Sequence, residues 1–232
     1  MAARGSTASG RLRAAWLVAL AVTSMPAAAQ VTSQGRASIV FMVGQGSGPT
    51  GGIAADIVAA SGLVPGAQPA PDSRVRATSF RFGGGYQFAD HMAAELALTH
   101  IGTLRSRAVY TATPRGPDTL VAETEFDAIE ADLAGRITVS SDFRVDLSAG
   151  IAMTGLKTTL RTEFGSTLPA EPGTLNARRA GLAAGIDAEW RLGHSASLIA
   201  GYHLFSHVGS SQIVGLASGN MTLIAGGVRI EF

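Results

Sequence analysis

The groups able to do chemistry in this chain are carboxylates and guanidinium groups placed two residues apart. Asp187, Glu189 and Arg191 follow this spacing, as do Glu130 with Asp132 and Arg144 with Asp146. Carboxylates and guanidinium groups gathered on one face can pair off as salt bridges. A second candidate is segment 203–211 (HLFSHVGSS), where His203, Ser206, His207, Ser210 and Ser211 offer the parts of a Ser–His hydrolase. Ser206 and His207 are sequence neighbours, however, so on a strand they point to opposite faces and cannot hydrogen-bond. His203 and His207 share a face and could begin a metal site, but no third ligand stands near them. The glycine-rich segment 44–52 (GQGSGPTGG) has no Lys of the phosphate-loop kind. The chain has no cysteine, which excludes disulfides, thiolate metal sites and thiol nucleophiles. The expectation is a non-enzyme, with no catalytic, cofactor-binding or metal-binding residue.

What positions these charges is a period of two. In 180–192 (AGLAAGIDAEWRL), Leu182, Ala184, Ile186, Ala188, Trp190 and Leu192 fall on one face, and Asp187, Glu189 and Arg191 on the other. A helix would scatter the three charges around its circumference, whereas a strand gathers them on one side. Segments 129–139, 143–154 and 221–232 repeat the pattern, with Arg229 and Glu231 opposite Ile224, Val228, Ile230 and Phe232 in the last. Short polar turns at 89–91, 140–142 and 193–195 alternate with longer Gly- and Pro-rich stretches at 45–73, 111–120, 161–176 and 209–219. Eight strands are expected, near 36–44, 74–88, 92–109, 121–139, 143–160, 177–192, 196–208 and 220–232. Within the first long stretch, 53–64 has room for a turn or two of helix and no more.

The chain has 232 residues, 46% hydrophobic and 15% charged, with a formal charge of +1. There is no basic field to suggest nucleic acid, and the body of the chain has no apolar run long enough for a transmembrane helix. At the start, Arg4, Arg11 and Arg13 precede the apolar stretch 14–22 and the small residues Ala27, Ala28 and Ala29. This is the layout of a secretory signal, so 1–29 is expected to be removed and 30–232 to form the mature domain.

Alternation fits a soluble barrel with apolar residues inside, or a membrane barrel with them outside. In the second, an Arg on the lipid face costs about 2–4 kcal/mol at mid-membrane, so the charged faces must turn inward. That places Arg81, Glu95, Glu130, Asp132, Arg136, Arg144, Asp146, Asp187, Glu189, Arg191, Arg229 and Glu231 in the lumen as a salt-bridged plug. Glu130, Asp132 and Arg136 are expected to face Arg144 and Asp146 across the 140–142 turn. Several strands exceed the roughly 9–11 residues that cross a bilayer and should project on the long-loop side. Phe88, Phe143 and Trp190 lie near the short turns, where an aromatic girdle runs. The chain closes on Val228, Ile230 and Phe232, which resembles the carboxy-terminal signal by which outer-membrane barrels are recognised for insertion.

Residues 79–102 also resemble a family. Gly84-Gly85-Tyr86-Gln87-Phe88, the turn at 89–91 and Glu95-Leu96 look like the second hairpin of the outer membrane protein A-like transmembrane domain, with Leu98 where that family commonly has an aromatic residue. The resemblance implies an all-β, eight-stranded antiparallel up-and-down transmembrane barrel, multi-pass in the outer membrane of a Gram-negative bacterium. Nothing follows Phe232, so the periplasmic peptidoglycan-binding domain of longer members is not expected. The partners implied are outer-membrane lipid and lipopolysaccharide, the barrel assembly machinery and periplasmic chaperones. The expected role is structural or surface-interacting. A small-solute pore is the first alternative and a lipid A-modifying hydrolase at the rim the second.

Overall fold

The computed structural model describes residues 35–48, 53–60, 68–69, 76–111, 117–163, 173–208 and 219–232. The expected signal segment 1–29 lies outside them. Eight strands form the wall: β1 (Arg36–Ser47), β2 (Arg76–Ala89), β3 (Met92–Thr111), β4 (Pro117–Thr138), β5 (Phe143–Glu163), β6 (Gly173–Arg191), β7 (Ala196–Val208) and β8 (Gly219–Glu231). One helix, α1 (Ile53–Ala60), follows β1, and the two-residue strand Gln68–Pro69 adds to β3 at Ala108 and Val109. Each strand pairs antiparallel with the next, and β1 pairs with both β2 and β8, so the sheet closes into a ring without an open edge. The wall is an eight-stranded up-and-down barrel.

The short connections sit at 90–91, 139–142 and 192–195 and gather at one end. Ser140 shapes the second of them: its Oγ accepts from Phe143 N at 3.2 Å, and its N–H donates to Phe143 O at 3.0 Å. At this end Phe143 and Trp190 meet edge to face with centroids 6.3 Å apart, and Phe88 is exposed beside the first turn.

Strand length divides the wall in two. β3 to β6 have 20, 22, 21 and 19 residues, against 13, 13, 12 and 14 for β7, β8, β1 and β2. The long strands run further than their sequence pattern suggests, leaving only 112–116 between β3 and β4 where a stretch from 111 to 120 was expected. On β5 the outward residues Phe143, Val145, Leu147, Ala149, Ile151 and Met153 are apolar. Beyond Gly155 they are Lys157, Thr159, Arg161 and Glu163. β4 changes in the same way, from Ile137, Leu133 and Ile129 to Asp127, Glu125 and Glu123, and β6 from Trp190, Ile186 and Leu182 to Arg178. His100, Asp127, Gly155 and Arg178 lie on one register row across β3 to β6, and this row marks the upper limit of the apolar belt. The 11 residues of the β5 belt match the roughly 9–11 needed to cross hydrocarbon.

Above the row the outward charges pair across strands. Arg105 meets Glu163 at 2.8 Å, Arg161 meets Glu123 at 2.9 Å, Arg107 also reaches Glu163, and His100 meets Asp127 at 2.7 Å. A bulge between Ile101 and Leu104 makes this possible. Up to Ile101 the odd residues of β3 face inward, and from Leu104 the even ones do, so Arg105 and Arg107 turn out.

A ring with every backbone group paired resists detergent until boiled. Refolded protein should therefore migrate differently on gels before and after boiling. A single position for both would count against a closed barrel.

Candidate functional site

The lumen is the place where this chain concentrates its polar side chains. Arg81, Arg136, Arg144 and Arg229 point inward, with Glu95, Glu130, Asp132, Asp146, Asp187 and Glu189, and all ten are buried. They belong to β2 to β6 and β8, brought together because inward residues of neighbouring strands stack in layers in a barrel this narrow. Arg229 is at the centre. Its guanidinium reaches Asp146 at 2.8 Å, Glu95 at 3.1 Å and Glu189 at 3.4 Å, and none of its surface is accessible. Arg144 donates to Glu189 at 2.8 Å and to the half-buried Glu231 at 2.5 Å. Arg136 reaches Asp146 at 3.5 Å, Glu95 at 3.8 Å and Gln87 at 2.7 Å.

Two sequence expectations need correction. Arg136 and Asp146 do face each other across the 139–142 turn, but Glu130 and Asp132 do not reach Arg144. Register sets them opposite Ala152 and Gly150, and their cation is Arg81 from β2, at 3.4 and 3.6 Å. Thr99 from the intervening β3 hydrogen-bonds Glu130 as well. Arg191 has the inward parity but is the last residue of β6, where its side chain reaches solvent, and it lies outside the buried cluster.

His203 and Asp187 form a further buried pair, with Nε2 to Oδ1 at 3.1 Å. The inward glycines at 185 and 201 make room for it. A Cβ on Gly201 would collide with Asp187 Oδ1, and one on Gly185 would come within 2.6 Å of His203 Nδ1. Ser206 is half-buried in the wall, and its Oγ accepts the backbone N–H of Leu182 at 3.1 Å. His203 is thus engaged by an acid inside the barrel and Ser206 by the backbone of β6. The side chain of His207, and residues 210 and 211, lie outside what the structure describes. Among the described residues there is no group of three His, Cys, Asp or Glu that could hold a metal.

Above the charged layer the lumen is lined mainly by apolar side chains, contrary to the expectation of a wholly polar interior, with Ser106, Asp118, Thr124 and Thr158 as buried polar exceptions. Met42, Ile101, Leu104, Phe126, Leu156, Phe205, Met221 and Leu223 fill it, with Phe126 and Phe205 ring centroids 5.3 Å apart. α1 completes this layer from within. Ile53, Ala54, Ala55 and Val58 are buried in it, and Ala54 N donates to Ser106 Oγ at 3.1 Å. A signal was present. In 121–128 the charges Glu123, Glu125 and Asp127 occupy odd positions, whereas in 129–139 Glu130, Asp132 and Arg136 occupy even ones. The face that carries the charges changes sides at the membrane boundary.

No protein-family model matches this chain, and no curated protein matches it either. Solved structures do. A major outer membrane protein from Thermus thermophilus aligns over 85% of this chain and 99% of its own with a TM-score of 0.52 at 9% identity. Neisserial surface protein A aligns over 85% and 97% with a TM-score of 0.48 at 13% identity. The N-terminal β-barrel domain of Pseudomonas aeruginosa OprF aligns over 85% and 97%, at 0.42 and 13%. The shared fold is the outer-membrane barrel. The deciding physical observation is the inversion of polarity below the boundary row: Phe41, Phe82, Leu133, Ile151, Leu182, Trp190 and Ile224 are exposed while ten charged side chains are buried. This chain has the outer-membrane β-barrel fold, with the outward apolar belt of a membrane-spanning wall. Within the barrel, Val228, Ile230 and Phe232 all face outward, Phe232 with 70% of its surface exposed.

The buried layer holds six carboxylates and four guanidinium groups, so arginines are its scarcer component. Arg229→Met should cost about 3–5 kcal/mol, because three carboxylates lose a shared cation. Glu189→Gln should cost about 1 kcal/mol, since the acids are in excess and the amide still accepts a hydrogen bond. Urea unfolding in lipid vesicles checks both. Equal losses would show that the two charges are not limiting in this way.

Proposed function

We propose that the protein is a non-conducting, non-catalytic anchor that presents its long connections at the cell surface. The observation that supports this reading is that the buried inward side chains form two successive layers, one salt-bridged and one mainly apolar. A permanent aqueous path would have to cross both. The apolar layer is closed by α1, which belongs to the same chain and supplies Ile53 and Val58 as side-chain stoppers. The projecting half-wall of β3 to β6 supports the same reading, since it carries structure beyond the belt where an ordinary anchor would need none. What the long connections contact is a surface partner, and outer-membrane lipid and lipopolysaccharide surround the wall beneath them.

The small-solute pore is the weaker reading, because opening it would require both the arginine network and α1 to move. A rim hydrolase is weaker still, given the separate engagements of His203 and Ser206. For assembly, we infer that Val228, Ile230 and Phe232 are read by the barrel assembly machinery after delivery by periplasmic chaperones. They form an outward apolar row on the strand that closes the ring against β1.

Refolded protein in planar bilayers should give no discrete conductance steps above the lipid baseline. Reproducible steps from the wild-type chain would overturn the sealed-lumen reading in favour of the pore. Separately, deleting Phe232 should lower the outer-membrane yield at modest expression and leave periplasmic material for proteases. An unchanged yield would remove Phe232 from the assembly signal.

A further inference from the structure

We propose that the outward face of β7, β8, β1 and the start of β2 holds a docking groove for one phosphorylated, acylated lipid of the outer leaflet. The groove has a volume of about 450 Å³ and is lined by Val43, Gln45, Ser47, Arg76, Ala200, Ile224 and Gly226, with backbone from Gly44 and Ala225. Register explains its shape. Val43 stands opposite Gly226, and Gly226 opposite Ala200, so two small residues lie side by side and lower the wall between the raised side chains of Val43 and Ile224. All four of these side-chain positions face away from the lumen.

The two ends of the groove differ chemically. Its lower part, over Ala200 and Gly226, lies within the apolar belt. At its upper end, Ser47 and Thr222 exchange a hydrogen bond at 2.7 Å, and Arg76 is the register partner of Ser47. Ser47 ends β1 on the side of the long connections, so the groove runs from that rim down into the belt. A lipid in it would have its head at the rim and its chain toward mid-membrane, which is the orientation of the outer leaflet and opposite to that of the inner one.

Arg76 supplies the charge complementarity. On the tall half-wall Arg105, Arg107 and Arg161 share the two carboxylates of Glu123 and Glu163. Arg76 is exposed and has no ion-pair partner among the described residues. A guanidinium at that level matches a phosphate, to which it can donate two parallel hydrogen bonds.

Gly226 supplies a second line of argument. A Cβ there would meet only Ile199 O, at 3.6 Å, an ordinary contact. At the adjacent Gly227 a Cβ would collide with Phe41 O. The wall therefore requires glycine at 227 but not at 226, where the absent side chain leaves the floor of the groove low. The proposal needs the membrane placement of the wall and is independent of what the long connections contact.

The test uses the whole refolded barrel in detergent micelles, titrated with purified diphosphoryl lipid A or its dephosphorylated form and read by native mass spectrometry. Wild type should retain the diphosphoryl form through wash steps. Arg76→Glu should lower that retention roughly fivefold and leave the dephosphorylated form unchanged. Gly226→Leu fills the groove and should lower retention of both forms by about tenfold. Ala200→Leu makes the same test if Gly226→Leu fails to show heat-modifiable folding. Retention unchanged in Arg76→Glu, or in the folded groove-filling variant, would show lipid coating the belt without a site and would overturn the proposal.

Discussion

The solvent outside each long strand changes from hydrocarbon to water part-way along its length, and the rest of the structure follows from this. A strand shows alternate residues to its two faces. Where the outside is hydrocarbon, apolar side chains must face out, and the only place for charge is within. Where the outside is water, the cheaper arrangement is reversed, with charge outward and apolar groups buried together. β4 and β5 obey both rules in turn, and the row through His100, Asp127, Gly155 and Arg178 marks where one gives way to the other. The two layers of the lumen are the inner side of the same change: arginines and carboxylates below the row, Phe126, Leu156 and their neighbours near and above it.

Below the row, the problem is to hold ten charged groups in a space with little water. Lysine would present a compact point charge, whereas the planar guanidinium can serve several acceptors at once. Arg229 does so with Asp146, Glu95 and Glu189. The chain has a single lysine, Lys157, and it lies outside this layer on the outward face of the projecting wall. Small residues are the counterpart of the large ones: glycines at 185 and 201 leave the space that His203 and Asp187 occupy. Such a layer fixes the relative register of strands that are not direct neighbours, since Arg81 and Glu130 meet across β3, and Glu95 and Arg229 meet only in the closed ring.

Above the row, the constraint is different. A half-wall standing in water needs something to cover its inner apolar face, as any one-sided sheet does. α1 provides part of that cover, docking Ile53, Ala54, Ala55 and Val58 among the side chains of β3 and β4 and hydrogen-bonding to Ser106. The short strands β7, β8, β1 and β2 end near the belt and have no comparable wall to cover. The unequal strand lengths thus decide on which side the barrel is capped and on which its outer face stays low and open.

Much of this was written locally. The eight strands, the short turns at one end and the inward direction of Arg81, Asp132, Asp146, Asp187 and Arg229 follow from a period of two together with the cost of placing charge in lipid, and both can be read from a single strand. The inversion at Asp127 was equally local, since Glu123, Glu125 and Asp127 stand on the opposite parity to Glu130 and Asp132. It was hidden only by reading the whole strand against one solvent. Tertiary structure decided what depends on strand-to-strand register. That Arg81 and not Arg144 serves Glu130 and Asp132, that Arg191 stays in solvent, and that a bulge after Ile101 turns Arg105 and Arg107 outward all follow from how far each strand slides along its neighbour. Alternation fixes the face of a residue and says nothing of its height; in a closed, tilted sheet, height is set by the ring as a whole.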